Sequence, residues 1–189
     1  MGRIFLITSM MAMLGACASI SEEQCLAGDW QELGFKDGSK GANIDRVDKY
    51  TNVCAEHGVS VQSSLYSKGY EQGLPLYCTH MRGLNSGTNG SSFNQACTGF
   101  IHYEQAYSEG RVVYEIEREY AYLLDEYESL SRKFYELADK FSDASLTDKE
   151  RKDLKRKQSR IKRNLRGLRI DIRTFESLHR FSQSRLEAF

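Results

Sequence analysis

The sequence predicts an all-α protein in which a small disulfide-stapled, glycine-rich helical domain precedes a long antiparallel coiled-coil hairpin. The chain has one proline and many Leu, Glu, Lys and Arg residues, a composition typical of helices. Four cysteines lie between residues 25 and 97, and beyond them apolar residues recur in alternating steps of three and four. These features favour three segments: a signal over residues 1–16, the first domain over 17–100 and the hairpin over 101–189.

The chain opens with an apolar run over residues 4–16, which follows Arg3 and is shorter than the roughly 20 residues a membrane-spanning helix needs. It closes on Leu14-Gly15-Ala16-Cys17, the order of a bacterial lipoprotein signal. We therefore expect cleavage before Cys17 and attachment of lipid, palmitate included, to that thiol. By similarity to proteobacterial lipoproteins, Ala18 in place of Asp favours the outer membrane, with the protein facing the periplasm. The alternative is an ordinary cleaved signal in which Cys17 is incidental.

The remaining cysteines are even in number, and in an exported protein they are expected to form two disulfides with three possible connectivities. We favour Cys25–Cys54 and Cys78–Cys97, because the first would staple a helical hairpin and the second would close a glycine-rich loop. Each bond is worth roughly 3–4 kcal/mol in the chain-entropy model. A zinc site built from Cys54-x-x-His57 and Cys78-x-His80 is the alternative, but its spacing is poor. No metal or cofactor is expected.

The glycine-rich half is predicted to hold helices over about 30–41, 45–57 and 63–77, followed by a loop over 83–92. Gly110 is expected to open a later long helix. An aromatic residue stands three positions before a glycine at Phe35-x-x-Gly38, Tyr66-x-x-Gly69 and Tyr107-x-x-Gly110, which indicates a weak internal repeat.

Glycines inside helices cost about 1 kcal/mol each relative to alanine, so a structural or functional gain must offset them. Close helix packing, with aromatic rings against the glycines, is the first interpretation. The second is a groove for an extended ligand such as a glycan or a peptide. The residues that would line this possible ligand groove are Trp30, Gly34, Asp37, Gly38, Tyr66, Gly69 and Gly73.

Several motifs together carry a resemblance to a known family. They are Cys25-x3-Asp29-Trp30-x3-Gly34-x2-Asp37-Gly38-x2-Gly41, Cys54, Gly58, Tyr66-x2-Gly69-x3-Gly73-Leu74, Tyr77-Cys78-Thr79, Gly87-x2-Gly90 and Cys97. This pattern resembles the lipoprotein family known as domain of unknown function 2799, and the resemblance extends over most of the mature chain. Ser60-Val61-Gln62 departs from an expected Pro-Asp pair, and Ser92-Phe93 from an expected Tyr. The resemblance implies localisation and architecture but no activity.

The second half of the chain shows the heptad pattern of a coiled coil. One seam runs without a slip through Val113, Ile116, Tyr120, Leu123, Tyr127, Leu130, Phe134, Leu137 and Phe141. Thr147-x-x-Glu150 then forms a capping box that starts the second arm. Its seam is Leu154, Ile161, Leu165, Leu168, Ile172, Phe175 and Leu186, with Gln158, His179 and Ser182 as weak positions.

A tight turn would place Tyr127 near residue 162 and Tyr120 near residue 169. In this register the acids at 115–119 and 125–128 face Arg169, Arg173, Lys162 and Arg163, while Arg132, Lys133 and Lys140 approach Asp148, Glu150 and Asp153. The basic run from Lys149 to Arg173 would then be neutralised by the first arm. The alternative is that it binds lipopolysaccharide phosphates, anionic lipid or peptidoglycan carboxylates.

The composition and motifs argue against several function classes. Lys and Arg balance Asp and Glu at 26 each, so the chain as a whole lacks a nucleic-acid-binding signature. It has no nucleophile elbow, P-loop, dinucleotide fingerprint or HExxH motif, and Asp29, Asp37, Glu56 and His57 form an ordinary acid–histidine neighbourhood. We therefore expect a non-enzymatic interaction or scaffolding protein of the cell envelope that binds an envelope protein. The alternative is a periplasmic peptidoglycan- or glycan-binding module.

Overall fold

The computed structural model describes residues 20–186, with side chains to Ser184, and within this range it contains seven α-helices and no strand. The all-α prediction is confirmed. The predicted signal over 1–16 and the lipidation site Cys17 lie outside the described residues. The chain divides between Tyr77 and Cys78 into two compact units, each described by itself below.

The first unit contains four helices: α1 (Glu22–Ala27), α2 (Trp30–Gly38), α3 (Arg46–Ala55) and α4 (Ser63–Tyr77). Helix α1, which the sequence did not predict, begins with a capping box between Ser21 and Gln24. Helix α2 ends earlier than expected, and the chain turns at Gly41, whose φ of 66° lies in the left-handed region.

Glycines let the backbones of α2 and α4 touch. A Cβ on Gly34 or Gly38 would lie under 3.0 Å from the backbone of Tyr66 or Tyr70 on α4. A Cβ on Gly69 would meet the backbone of Gln31 just as closely, and one on Gly73 that of Phe35. Contacts advance in the same direction along both helices, so α2 and α4 run parallel, and the segment containing α3 crosses between their ends. Two glycines spaced by four on each helix are what such a close approach requires.

Both predicted disulfides are present, Cys25–Cys54 in the first unit and Cys78–Cys97 in the second, each with a Cα–Cα distance of 5.4 Å. Cys25, Cys54 and Cys97 are fully buried. Because the four sulfurs are bonded in pairs, none is available as a thiolate for the alternative zinc site.

The second unit contains α5 (His80–Thr88), a 3-10 turn (Gln95–Cys97), α6 (Ile101–Phe141) and α7 (Asp148–Leu186). Two predictions are wrong here: the expected loop over 83–92 is mostly helix α5, and α6 begins well before Gly110. Thr79 starts α5 by accepting a hydrogen bond from the Arg82 backbone amide. The expected domain boundary after residue 100 lies beyond the division between the two units, because α5 packs on α6.

Helices α5 and α6 repeat the arrangement of α2 and α4. A Cβ on Gly83 or Gly87 would lie under 3.0 Å from the backbone of Tyr103 or Tyr107, and one on Gly110 would meet Leu84. The two pairs match position by position. The glycines 34, 38 and 41 correspond to 83, 87 and 90, and residues Tyr66, Gly69, Tyr70, Gly73 and Tyr77 correspond to Tyr103, Ala106, Tyr107, Gly110 and Tyr114.

Hydrogen bonds confirm this correspondence. The Tyr70 hydroxyl donates to the Ala42 carbonyl at 2.5 Å, and the Tyr107 hydroxyl donates to the Ser91 carbonyl at 2.9 Å. Ala42 and Ser91 each follow the left-handed glycine, Gly41 or Gly90, that lies just beyond the first helix of their pair. The structural repeat therefore matches Tyr107 with Tyr70, whereas the predicted repeat matched it with Tyr66.

The rest of α6 packs against α7 as an antiparallel hairpin. Every residue of the predicted α6 seam is buried or half-buried, with Val113 and Leu123 the most enclosed. On α7 the same holds for the predicted seam from Leu154 to Ser182, and the side chain of Leu186 lies beyond those described. Within residues 20–186, no helix combines the length and apolarity needed to cross a membrane.

Candidate functional site

The residues of the predicted ligand groove lie together in the first unit, but they form a helix contact. The backbone of the partner helix fills the space next to all four glycines. Trp30 is 2% exposed and Tyr66 is completely buried. The close-packing interpretation therefore accounts for these positions, and no groove for an extended ligand remains between α2 and α4.

Asp37 forms the centre of a buried polar cluster in this unit. Its Oδ2 accepts hydrogen bonds from the hydroxyls of Tyr50 at 2.8 Å and Tyr66 at 2.9 Å, and Arg46 Nη1 lies 3.0 Å from its Oδ1. Burial, followed by the hydrogen bond to Asp37, raises the pKa of Tyr50 to about 12, and the same causes raise the pKa of Tyr66. The phenols thus stay protonated as donors. With three donors on one carboxylate, the cluster is a satisfied element of the core.

The second unit lacks this cluster. Ser86 occupies the position that corresponds to Asp37, and Phe93 packs edge-on against Tyr103 with ring centroids 5.6 Å apart. The Tyr103 hydroxyl is buried and finds no hydrogen-bond partner among the described residues. Sequence reasoning missed Arg46 and Tyr50 as partners of Asp37, because no local spacing connects them.

The hairpin has a different register from the one predicted. Tyr127 receives a 2.8 Å hydrogen bond from Arg169 instead of facing residue 162, and Tyr120 stacks on His179 with centroids 5.4 Å apart instead of facing residue 169. The cause lies at the turn, where Arg151 donates to the carbonyls of Phe141 and Asp143. Arg151 is therefore level with the end of α6, and the first turn of α7 belongs to the connection.

As a result, the predicted ion pairs between the two arms are absent among the described residues. Glu115 instead pairs with Arg111 and Arg118 on its own helix, and Glu117 accepts a hydrogen bond from the Gln183 amide of α7 and not from a cation. On α7, Asp153 lies 3.8 Å from Arg156. The expectation that the first arm neutralises the basic run of α7 is therefore wrong.

The basic run forms what we call the basic face of α7. Between Asp153 and Asp171 there is no acid, and all eight cations of this stretch are exposed: Lys155, Arg156, Lys157, Arg160, Lys162, Arg163, Arg166 and Arg169. Apart from Arg156 on Asp153 and Arg169 on Tyr127, none of the eight has a polar partner among residues 20–184. At 1.5 Å per residue the stretch is about 25 Å long.

One flank of this face continues onto α6. Lys133 and Lys140 of α6 and Lys157 and Arg160 of α7 line a shallow groove of about 300 Å³ whose floor includes Leu137 and Ile161. Glu136 is the one acid at this groove. Lys133 thus lies with like charges where the sequence prediction paired it with acids, whereas Lys140 also lines a neighbouring pocket with Glu150 and Asp153, two of the acids predicted near it. Several cations around one groove raise the local positive electrostatic potential, which favours binding of an anion.

A metal-binding or acid–histidine arrangement among the described residues would be a further candidate site. Among residues 20–186 no three His, Cys, Asp or Glu side chains are arranged to hold a metal ion. His57 lies 3.6 Å from Glu22, a carboxylate that is 64% exposed at its side chain. The feature that remains to be explained by function is the basic face of α7.

Residues 29–112 match a family model described as "Protein of unknown function (DUF2799)". The matched segment runs from the residue before α2 into α6, so it covers both glycine-packed helix pairs and stops before the seam that begins at Val113. The basic face of α7 lies outside it. No curated protein and no solved structure matches the chain.

Proposed function

We propose that this chain, whose residues 29–112 belong to the DUF2799 family, is a lipid-anchored, non-enzymatic interaction or scaffolding protein of the bacterial cell envelope. The exposed cations of α7 and the N-terminal sequence signals support the proposal. In this proposal the glycine-packed helix pairs are the structural base. The hairpin is the arm that docks an envelope component.

The basic face of α7 carries the proposal. The eight exposed cations between Lys155 and Arg169 repel one another. They add no electrostatic stability to a coiled coil unless they pair with acids. In the observed register Glu136 lies at the groove with Lys157 and Arg160, but no described acid of the first arm forms an ion pair with the basic run. A partner of opposite charge is the simplest reason for such a surface.

The envelope location is supported by the sequence signals at the N-terminus. An apolar run that ends in Leu14-Gly15-Ala16-Cys17 is typical of lipoproteins, and the two disulfides fit an oxidising compartment. A peptidoglycan- or glycan-binding module is the alternative function. The groove expected for it between α2 and α4 is filled by backbone.

Photo-crosslinking in living bacteria tests the proposal. A photoreactive residue replaces Ser159, which lies within the basic face, or Ser64, an exposed serine at the start of α4 that serves as the matched control. We expect adducts with an envelope component at position 159 that are absent at position 64. Adducts with cytosolic molecules alone, or equal yields at both positions, would contradict the proposal.

Lipidation is tested separately by labelling with palmitate and by membrane fractionation. The chain should incorporate the label and sediment with the outer membrane, and the Cys17→Ser variant should lose the label. A labelled Cys17→Ser variant would exclude Cys17 as the attachment site.

A further inference from the structure

The shape of the basic face indicates what kind of anion it meets. The α7 residues turned towards α6 follow the heptad seam at positions 154, 158, 161, 165 and 168. The eight cations occupy the positions between them, so they cover the whole solvent side of the helix and do not converge on one pocket. A convex, evenly charged cylinder of about 25 Å fits an extended anionic surface better than a small ligand.

One apolar side chain accompanies the cations on the solvent side, since Ile170 directly follows Arg169 and is 66% exposed. Long Lys and Arg side chains can lay their apolar stems on an interface and keep their charges at the level of phosphates. The cations of α7 therefore suit electrostatic contact with a charged surface, because the apolar seam of this helix packs on α6.

We propose that the basic face of α7 binds the anionic headgroup surface of a phospholipid bilayer. The inference rests on the proposed envelope function and names the partner class of the same surface. Charge complementarity supports this proposal. Between Asp153 and Asp171 every charged residue of α7 is a cation, and the headgroups of an anionic bilayer present a plane of phosphates wide enough to contact the length of this stretch. Because the DUF2799 match ends at residue 112, the binding face is a property of the arm and not of the matched segment.

Co-sedimentation of the full chain with vesicles tests this inference. One vesicle is phosphatidylcholine alone, and the other contains phosphatidylcholine and phosphatidylglycerol in equal parts. An N-terminal lipid anchor, or an uncleaved apolar run at residues 4–16, adds binding to both vesicles, so the difference between the two vesicles isolates the charge-dependent part. We expect stronger binding to the anionic vesicles at low ionic strength, and loss of that preference at high ionic strength.

A matched pair of triple variants assigns the preference to α7. The variant Lys155→Gln, Arg163→Gln and Arg166→Gln removes three cations without a described partner. The control, Lys40→Gln, Lys49→Gln and Lys68→Gln, removes three exposed cations from the first unit and changes the net charge equally. The α7 variant should bind anionic vesicles roughly a hundredfold more weakly, and the control much less so. Helix content and thermal stability should stay unchanged in both, because Gln and Arg have similar helix propensities.

The outcomes separate this inference from the proposed function. Equal loss in both variants, or no preference for anionic vesicles, would overturn the lipid assignment. Binding to a DNA duplex that is as strong and as dependent on α7 would also overturn it. A protein adduct at position 159 together with no vesicle preference would leave the envelope function standing and remove the lipid surface as its partner.

Discussion

Tyr66 and Tyr103 occupy equivalent positions in two copies of one helix arrangement, yet only the hydroxyl of Tyr66 has a hydrogen-bond partner. Tyr66 donates to the buried carboxylate of Asp37 at 2.9 Å, whereas Ser86 stands at the equivalent position beside Tyr103. Both rings are completely buried. The two units therefore share their backbone contact and differ in the polar group at its centre.

This difference predicts opposite effects of one substitution. Tyr66→Phe should lower the free energy of unfolding by about 1–2 kcal/mol, because Asp37 loses a donor in a buried setting. Tyr103→Phe should be neutral or raise it slightly, because the hydroxyl it removes has no partner. Denaturant unfolding of both variants, followed by circular dichroism, measures the two effects. A loss at Tyr103→Phe as large as that at Tyr66→Phe would mean that the Tyr103 hydroxyl is satisfied in solution.

The Asp37 cluster also predicts instability in alkali. The pKa of Tyr50 is raised to about 12 by burial and by its hydrogen bond to Asp37, whereas the pKa of a tyrosine in the unfolded chain is about 10. The folded chain thus holds this proton more tightly, so the stabilisation is complete below about pH 10 and is lost as the pH rises through about 12. Unfolding measured across this range, with phenolate absorbance recorded in parallel, tests the direction. In the Tyr50→Phe variant the decline should be shallower, and an unchanged decline would assign it to other groups.

The glycine contacts predict contrasting outcomes for two alanine substitutions. Gly69→Ala should destabilise the chain by about 2–4 kcal/mol, because the new methyl would enter the backbone of α2. Gly167→Ala should stabilise it by about 1 kcal/mol, because that helical glycine has open space where a Cβ would lie. Thermal and denaturant unfolding of both variants compares them directly. A harmless Gly69→Ala would show that α2 and α4 separate without cost.

The register of the hairpin can be measured by double-mutant cycles. Tyr120 and His179 stack in the structure, so their alanine variants should show a coupling energy of about 0.5–1.5 kcal/mol. Tyr120 and Arg169, which the tight-turn register would bring together, should show none. Coupling in the second cycle and not in the first would restore the register predicted from the sequence.

Like charges near the tip of the hairpin predict a stabilising charge reversal. Arg160→Glu places an acid in the groove shared with Lys133 and Lys140, so the free energy of unfolding should rise by up to about 1 kcal/mol at low salt. The gain should fade at high salt because these side chains are exposed. Lys155→Glu changes the same charge outside that groove and should give a smaller gain. Equal gains would show that general charge balance, and not the groove, is responsible.

Local patterns in the sequence were sufficient for part of this fold. The alternating three- and four-residue steps predicted both seams of the hairpin, because a coiled-coil seam is a property of each helix alone. The cysteine pairs were also predicted correctly. Helix α5 was missed because Gly, Asn and Ser in sequence favour a loop, whereas in the structure the Thr79 cap and the packing of Gly83 and Gly87 on α6 accompany a helix.

Features that depend on tertiary contacts escaped prediction. The internal repeat was predicted with the wrong alignment, because the link between its two helices contains α3 in the first unit and only a short 3-10 turn in the second. The register depends on Arg151 reaching the carbonyl of Phe141, which no heptad count reveals. In the observed register the basic face of α7 forms no ion pair with the described acids expected to neutralise it, which makes it a candidate binding surface.

Helix α6 has one further mechanical consequence. The same 41-residue helix supplies Tyr103 and Gly110 to the glycine contact with α5 and then continues, without a joint, to Phe141 at the end of the arm. Force applied at Phe141 therefore passes along a single rod of about 60 Å into the core held by Cys78–Cys97. Such an arm acts as a strut, which keeps whatever it binds at a set distance from its base and does not let it drift as a flexible tether would.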